Sequence, residues 1–127
     1  FKNVIYLRTG IFGGIRNAYY NRGISKISQL DYSSAILDFN VVIAQDKDYS
    51  NAYFFRGSAN FILQNFDQAL KDVNQAIVLN PQYGAAYFQR GVILITLDNE
   101  LKGCQDLKHA ASIGYRKAQS AIDEFCK

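Results

Sequence analysis

The 127-residue chain has no tryptophan and no methionine, one proline, one histidine and two cysteines. Each shortage closes off a class of chemistry. His109, Cys104 and Cys126 show no C-x-x-C spacing and no cluster of histidines, so zinc lacks ligands and no metal site is expected. Gly10, Gly13 and Gly14 have neither the G-x-G-x-x-G order nor the lysine of a P-loop, so no phosphate-cradling loop and no cofactor is indicated. Long apolar runs are missing too. Stretches such as Val92 to Ile95 are far short of the roughly 18 residues of a membrane span. No five like charges stand in a row, and the net charge is only +3, so charge points to no nucleic-acid partner. The chain begins with Phe1 rather than Met, as a processed chain or a fragment would, so a signal peptide or lipid anchor would lie outside it.

What is present is a balanced globular composition, 49% apolar and 20% charged, with an aromatic excess of nine Tyr and nine Phe. Disorder is excluded, because such a chain can bury a core. The aromatic area exceeds what a core of this length needs and calls for a use in packing or contact.

An offset of 34 residues aligns 17–23 (NAYYNRG), 51–57 (NAYFFRG) and 85–91 (AAYFQRG) without a gap. Tyr19, Tyr53 and Tyr87 coincide, as do Arg22, Arg56 and Arg90, then Gly23, Gly57 and Gly91, and then Asp38, Asp72 and Asp106. Residues 16–49 and 50–83 agree at ten of 34 positions, where unrelated sequences would share about two. The chain is therefore divided into an N-terminal arm (1–15), three repeats (16–49, 50–83, 84–117) and a C-terminal segment (118–127).

Inside each unit the apolar spacing is helical. Phe54, Phe61 and Ile62 follow a 3.6-residue period, Gln64-Asn65 interrupts it, and Phe66, Leu70, Val73 and Ile77 resume it, so each unit is a pair of antiparallel helices. Asn80-Pro81 ends the second pair. Gly23, Gly57 and Gly91, with Ala35, Ala69 and Gly103 opposite, mark the closest approach of the paired helices. Asp46, Asp48, Asp98 and Glu100 fall in turns, where acidic residues cap helix starts. His109 falls in a column held elsewhere by Val41 and Gln75 and is read as solvated surface.

This pattern resembles the tetratricopeptide repeat over residues 16–117, and looks most like bacterial members of that family: 34 residues, an aromatic at position 4, Gly at 8, a small residue at 20, and a large apolar residue at 24 in Phe39, Val73 and Leu107. The departures are Arg22, Arg56 and Arg90 in place of Leu at position 7, and Lys47 and Tyr115 where proline would stand; only Pro81 keeps it. The resemblance implies an all-α fold, an α-solenoid of three helix pairs. It also implies a non-enzymatic protein-protein interaction module whose first helices line a concave face.

Carried over residue by residue, the inward positions include Tyr20, Asn21, Ile24, Asn51, Phe54, Phe55, Ser58, Phe61, Phe88, Gln89 and Val92, none of them charged. Family members that hold acidic chaperone tails clamp a carboxylate with Lys, Asn and Arg, and the matching positions here are Tyr20, Ile24, Phe55, Ala85 and Gln89. Without cations a desolvated carboxylate has no compensation, so the implied partner is a protein with an apolar peptide or helix. The alternative is a structural role, with the groove filled by the N-terminal arm or by another protomer in a homo-oligomer. Ordinary core packing of the same residues remains open at this level.

Three aligned arginines could track a phosphate backbone. The aspartate column favours another use: Arg22 with Asp38, Arg56 with Asp72 and Arg90 with Asp106 form a ladder of ion pairs between facing helices. At the C-terminus Ala118, Ala121, Ile122 and Phe125 recur at helical spacing among polar residues, giving a capping helix that starts near 116 after a stop at Gly114. At the other end Val4, Ile5, Tyr6, Leu7, Ile11 and Phe12 match no repeat register and suit a strand, a helix or an extended arm. Cys104 lies ten residues before Gly114 and Cys126 twelve after it, so a hairpin about this glycine brings the thiols to similar height. They are either a disulfide or two buried free thiols. Localisation follows that choice: cytoplasmic with free thiols, periplasmic or secreted with a bridge.

Overall fold

Seven helices run through the computed structural model, which describes residues 2–127, with side chains from residue 13 onward. They are α1 (Lys2–Ser28), α2 (Tyr32–Gln45), α3 (Ser50–Ile62), α4 (Phe66–Leu79), α5 (Gly84–Thr96), α6 (Glu100–Ser112) and α7 (Lys117–Phe125). No strand occurs among the described residues. Each odd-numbered helix up to α5 packs most closely on the helix that follows it, and the three hairpins lean on one another through α2–α3 and α4–α5. The chain is an α-solenoid, closed at its C-terminal end by α7 against α6.

From α2 onward the helices form because each carries an apolar stripe. On α4, Ala69, Val73 and Ala76 recur on one face and are fully buried. The core runs through the hairpins and across the joints between them. One cluster gathers Ala35, Phe39, Val42 and Ala52 around α2–α3, and another gathers Ala69, Val73, Ala76, Ala86 and Ile93 around α4–α5. Alanine dominates because close helix approach leaves no volume for more. Gly91 is the extreme case: a methyl group there would lie 2.8 Å from the carbonyl oxygen of Gly103 on α6.

The turns inside the hairpins share one geometry. Leu30, Gln64 and Asp98 take φ of 63°, 65° and 64°, the left-handed conformation that ends a helix. In each, the next residue's N–H reaches back to the helix: Asp31 to Lys26 O (2.8 Å), Asn65 to Asn60 O (2.8 Å) and Asn99 to Leu94 O (2.8 Å). Gly114, at φ 96°, does the same after α6, with Tyr115 N–H on Ala110 O at 3.0 Å.

The acidic turn residues do not cap the helix starts expected of them. Asp46 ends α2, where its carboxylate accepts from the Asp48 N–H (3.0 Å) and from Arg16 (2.9 Å), while Asp98 holds a left-handed turn position. The side-chain cap is instead Asp31 on the Ser34 N–H, at 3.4 Å. A carboxylate already drawn into an Asx turn and an ion pair is not available to the next helix.

The ends of the array differ from its joints. Ala52, Ala59, Ala86 and Ile93 are fully buried at the joints, whereas Ala18 and Ser25, in the same columns of the first repeat, are exposed. On α7, Ala118 and Ala121 face inward, and Gln119, Ser120, Asp123 and Glu124 face water. Both end faces are thus small or polar, as a terminated array requires. Residues 2–15 form the first turns of α1. The side chains of Val4, Ile5, Tyr6, Leu7, Ile11 and Phe12, on which a groove-filling arm depends, lie outside the described residues, as does Phe1.

Candidate partner-binding groove

Helices α3 and α5 lie side by side on one face, and between them opens a cavity of about 300 Å3. Its lining is Phe54, Ser58, Phe61 and Ile62 from α3, Ala85, Phe88, Gln89 and Val92 from α5, and Tyr115 from the turn before α7. None of these side chains is charged. Ser58 Oγ donates to the Phe54 carbonyl (3.1 Å) and accepts from Gln89 Nε2, so the two polar side chains of the wall are tied to each other. Gln89 Oε1 is buried without a partner.

Six of the eleven residues assigned to the groove from sequence share this cavity: Phe54, Ser58, Phe61, Phe88, Gln89 and Val92. The other five are placed differently. Tyr20, Ile24 and Phe55 pack against the α2–α3 core, with the Phe55 ring stacked 6.1 Å from Phe39 and the Tyr20 ring 6.0 Å from Phe39. Asn21 is exposed, and Asn51 lines a separate shallow recess with Asp46, Asp48, Tyr49 and Ser50.

Sequence reasoning missed the tyrosines that buttress the aromatic stripe. Tyr20 packs on Tyr49 (5.0 Å between ring centres), Phe54 on Tyr83 (4.9 Å) and Phe88 on Tyr115 (5.2 Å). Each repeat thus pairs its position-5 ring with a tyrosine from the turn that closes the repeat. The signal was available, since Tyr49 and Tyr83 are themselves one repeat apart. Burial, then the neighbouring phenols of Tyr20 and Tyr115, push the Tyr83 phenol well above the ordinary tyrosine range. Tyr20 shifts the same way, from burial first and then Tyr49, with a bond to Asn51 opposing it. A wall that resists a phenolate resists a carboxylate for the same reason.

The arginine and aspartate columns meet across each hairpin. Arg22 Nε and Nη2 donate to Asp38 at 2.9 and 2.6 Å, Arg56 to Asp72 at 2.9 and 2.7 Å, and Arg90 to Asp106 at 2.7 and 2.8 Å. Each guanidinium also lies over the position-4 tyrosine of its own helix, 5.0 Å from the Tyr19 ring, 5.6 Å from Tyr53 and 5.4 Å from Tyr87. The third nitrogen joins repeats: Arg56 Nη1 donates to Asn40 Oδ1 (2.9 Å) and Arg90 Nη1 to Asn74 Oδ1 (3.0 Å). Tyr53 and Tyr87 hydroxyls add bonds to the carbonyls of Lys47 (3.0 Å) and Pro81 (3.1 Å) in the preceding repeat. Asn40 and Asn74 share a column that the 34-residue offset shows, though neither was singled out from sequence. In the first repeat Lys26 reaches Asp38 at 3.1 Å and supplements Arg22. With their donors used inside and between hairpins, Arg56 and Arg90 are structural clamps.

Cys104 on α6 and Cys126 after α7 are joined as a disulfide, with Cα atoms 5.7 Å apart. His109 is exposed, its ring edge-on to Tyr87 at 4.3 Å. Among the described residues no group of three or more His, Cys, Asp or Glu could hold a metal ion, and no helix is long and apolar enough to cross a membrane.

Stacked helix hairpins with a continuous core, and a cavity between α3 and α5, define a repeat protein of the α-solenoid class. Residues 50–83 match the tetratricopeptide repeat family, and the fold of the described residues is that of tetratricopeptide-repeat domains. The second tetratricopeptide-repeat domain of human RPAP3, solved with an HSP70 peptide, superposes with a TM-score of 0.83 at 24% identity, over 91% of this chain and 98% of that one. The second such domain of Spaghetti (RPAP3), bound to an HSP90 peptide, gives 0.75 at 26% identity over 77% of this chain and 91% of that one. MamA gives 0.75 at 23% identity over 78% of this chain, which spans 58% of the MamA chain. No curated protein matches by sequence.

Proposed function

We propose that the chain is a non-enzymatic protein-protein interaction module that takes an apolar peptide or helix in the concave groove, with the cavity between α3 and α5 as its anchor point. The observation that carries this reading is the uncharged, aromatic wall around about 300 Å3 of open space, a volume at the small end of the range for binding pockets and suited to one or two large apolar side chains. The RPAP3 domains hold HSP70 and HSP90 peptides. The resemblance places Tyr20, Ile24, Phe55, Ala85 and Gln89 where a carboxylate clamp would need Lys, Asn and Arg, so the partner segment here is apolar rather than acidic. The second reading, a groove occupied by residues 1–15 or by another protomer, keeps the same surface and changes only its occupant. The disulfide supports an oxidising compartment, periplasmic or extracellular.

The test is Phe54→Ala and Phe88→Ala, measured by circular dichroism melting and by affinity for apolar peptides selected from a display library on the native chain. Buried aromatic anchors dominate such grooves, so affinity should fall by about 2 kcal/mol or more while the melting temperature changes little. A sharp loss of stability with unchanged affinity of the folded fraction would assign both rings to the core and remove the groove.

A further inference from the structure

The wall of the cavity is completed by a residue outside α3 and α5. We propose that the Cys104–Cys126 bridge controls the groove through this residue, Tyr115: with the bridge closed Tyr115 is held against Phe88 and the cavity is formed, and when a dithiol reductant opens the bridge Tyr115 loosens and the hold on an apolar ligand weakens. The inference rests on the cavity between α3 and α5 being the binding site.

Tyr49, Tyr83 and Tyr115 play one part, each stacked on the position-5 ring of its repeat, but they are held differently. Tyr49 and Tyr83 stand at the starts of α3 and α5, helices that run on into full hairpins and bury Ala52, Ala59, Ala86 and Ile93 completely. Tyr115 is followed by α7 alone, nine residues whose buried side chains are Ala118 and Ala121 and whose N-terminal amides no side chain caps. A helix so short does not hold itself in water. At its near end the Tyr115 N–H donates to Ala110 O at 3.0 Å and the Tyr115 carbonyl accepts from the Ala118 N–H at 3.2 Å. There the Tyr115 Cβ packs so close to the start of α5 that a methyl group on Gly84 would lie 3.1 Å from it. At its far end Cys126 follows Phe125 directly and is joined to Cys104 on α6. Helix α7 is thus pinned at both ends, and the ring that completes the cavity sits on the near pin. Opening the far pin leaves two buried alanines to hold the helix in place.

The bridge is open to a reductant. Cys104 and Cys126 line a recess of about 450 Å3 together with Lys108 and Lys127. A thiolate of the dithiol attacks one bridging sulfur, and the other leaves as a thiolate favoured by the neighbouring lysines. The second thiol of the reductant then closes the reductant's own disulfide and releases the sulfur first attacked. Two electrons and two protons pass to the chain, which ends with two thiols, and the dithiol is oxidised.

Hydrogen exchange on the full chain, with and without dithiothreitol, reads the release, and titration with indole, followed by the methyl NMR signals of Val92 and Ile62, reads the cavity. After reduction the amides of α7 and of Tyr115 should exchange at least about tenfold faster, while those of α3 and α4 change by less than about twofold. Indole should bind the reduced chain about fivefold or more weakly than the oxidised one, the cost of an aromatic wall that no longer stays in place. The chain with Cys126→Ser must show both changes without reductant. The chain with Tyr115→Ala must bind indole more weakly when oxidised and lose nothing further on reduction. A Tyr115 amide that stays protected, equal indole affinity in the two forms, or a Tyr115→Ala chain that still loses affinity on reduction overturns the proposal and leaves the cavity as the binding site. Indole that moves neither methyl signal in the oxidised chain overturns the cavity itself, and this inference with it.

Discussion

Arg56 shows how one residue joins two repeats. Its side chain is 22% exposed while that of Asp72 is 4% exposed, so removing the arginine leaves a buried carboxylate without its partner. Such a loss is larger than the net worth of the pair. The expected outcome is that Arg56→Leu and Asp72→Leu together cost less than the sum of the single changes, by about 0.5 to 3 kcal/mol, in a urea-denaturation cycle; additive losses would refute the pairing. Asp38 yields a pH prediction. Hydrogen bonds from Arg22 hold its carboxyl below the usual carboxylate range, with Lys26 adding to the effect and burial opposing it. A group depressed in the folded state contributes its full stability above the unfolded value of about 3.9 and loses it as pH falls through the folded value. Melting temperature should be level from about pH 7 to pH 5 and fall below about pH 4, and Asp38→Asn should flatten that fall. An equally steep decline in the variant would remove Asp38 as a cause.

Among the elements, the hairpin turns carry strain that the fold tolerates three times. Gln64 holds φ 65° without being glycine, at about 1 to 2 kcal/mol. Gln64→Gly relieves this strain but gives the unfolded chain more freedom, worth about 0.4 to 1 kcal/mol. A net gain of about 0.5 to 1 kcal/mol is expected in urea denaturation, and a loss would show that the Gln64 side chain contributes more than its exposure suggests. The α6–α7 hairpin is fastened covalently, with the cysteines 22 positions apart in sequence. Reduction should lower stability by about 2 to 4 kcal/mol on the chain-entropy account, read as a shift in the denaturation midpoint. Two free thiols per chain in denatured, unreduced protein would show that the bridge does not form.

For the whole molecule, the open question is what covers the apolar residues of the N-terminal arm. Val4, Ile5, Leu7, Ile11 and Phe12 have no repeat partner in the sequence, and apolar side chains left in water favour association. Deleting residues 1–14 should raise the binding of a dye for apolar surface or change the oligomeric state seen by light scattering. An unchanged, monomeric and equally stable product would show that the arm covers nothing.

Repeat length, helix pairing and the arginine–aspartate columns were legible in the sequence because they recur at a fixed offset, and recurrence separates a structural requirement from chance. Gly91 was legible for a related reason, since a mid-helix glycine is unfavourable unless another backbone passes close to it. The division of the position-5 and position-6 aromatics between core and cavity was not legible. Tyr20, Phe54 and Phe88 occupy one column, yet Tyr20 sits against Phe39 away from the cavity, while Phe88 and Phe54, the latter also packed on the α4–α5 core, line open space. The difference lies in what each ring meets: Phe39, in the same hairpin, is large enough to reach Tyr20, whereas Ser58 and Ala85, both small, leave the space between α3 and α5 unfilled. By itself the sequence determined that three helix pairs stack and which columns face one another. Only the tertiary structure decided which aromatics fill the core and which line the cavity between α3 and α5, because that depends on the summed volumes of side chains brought together from different helices.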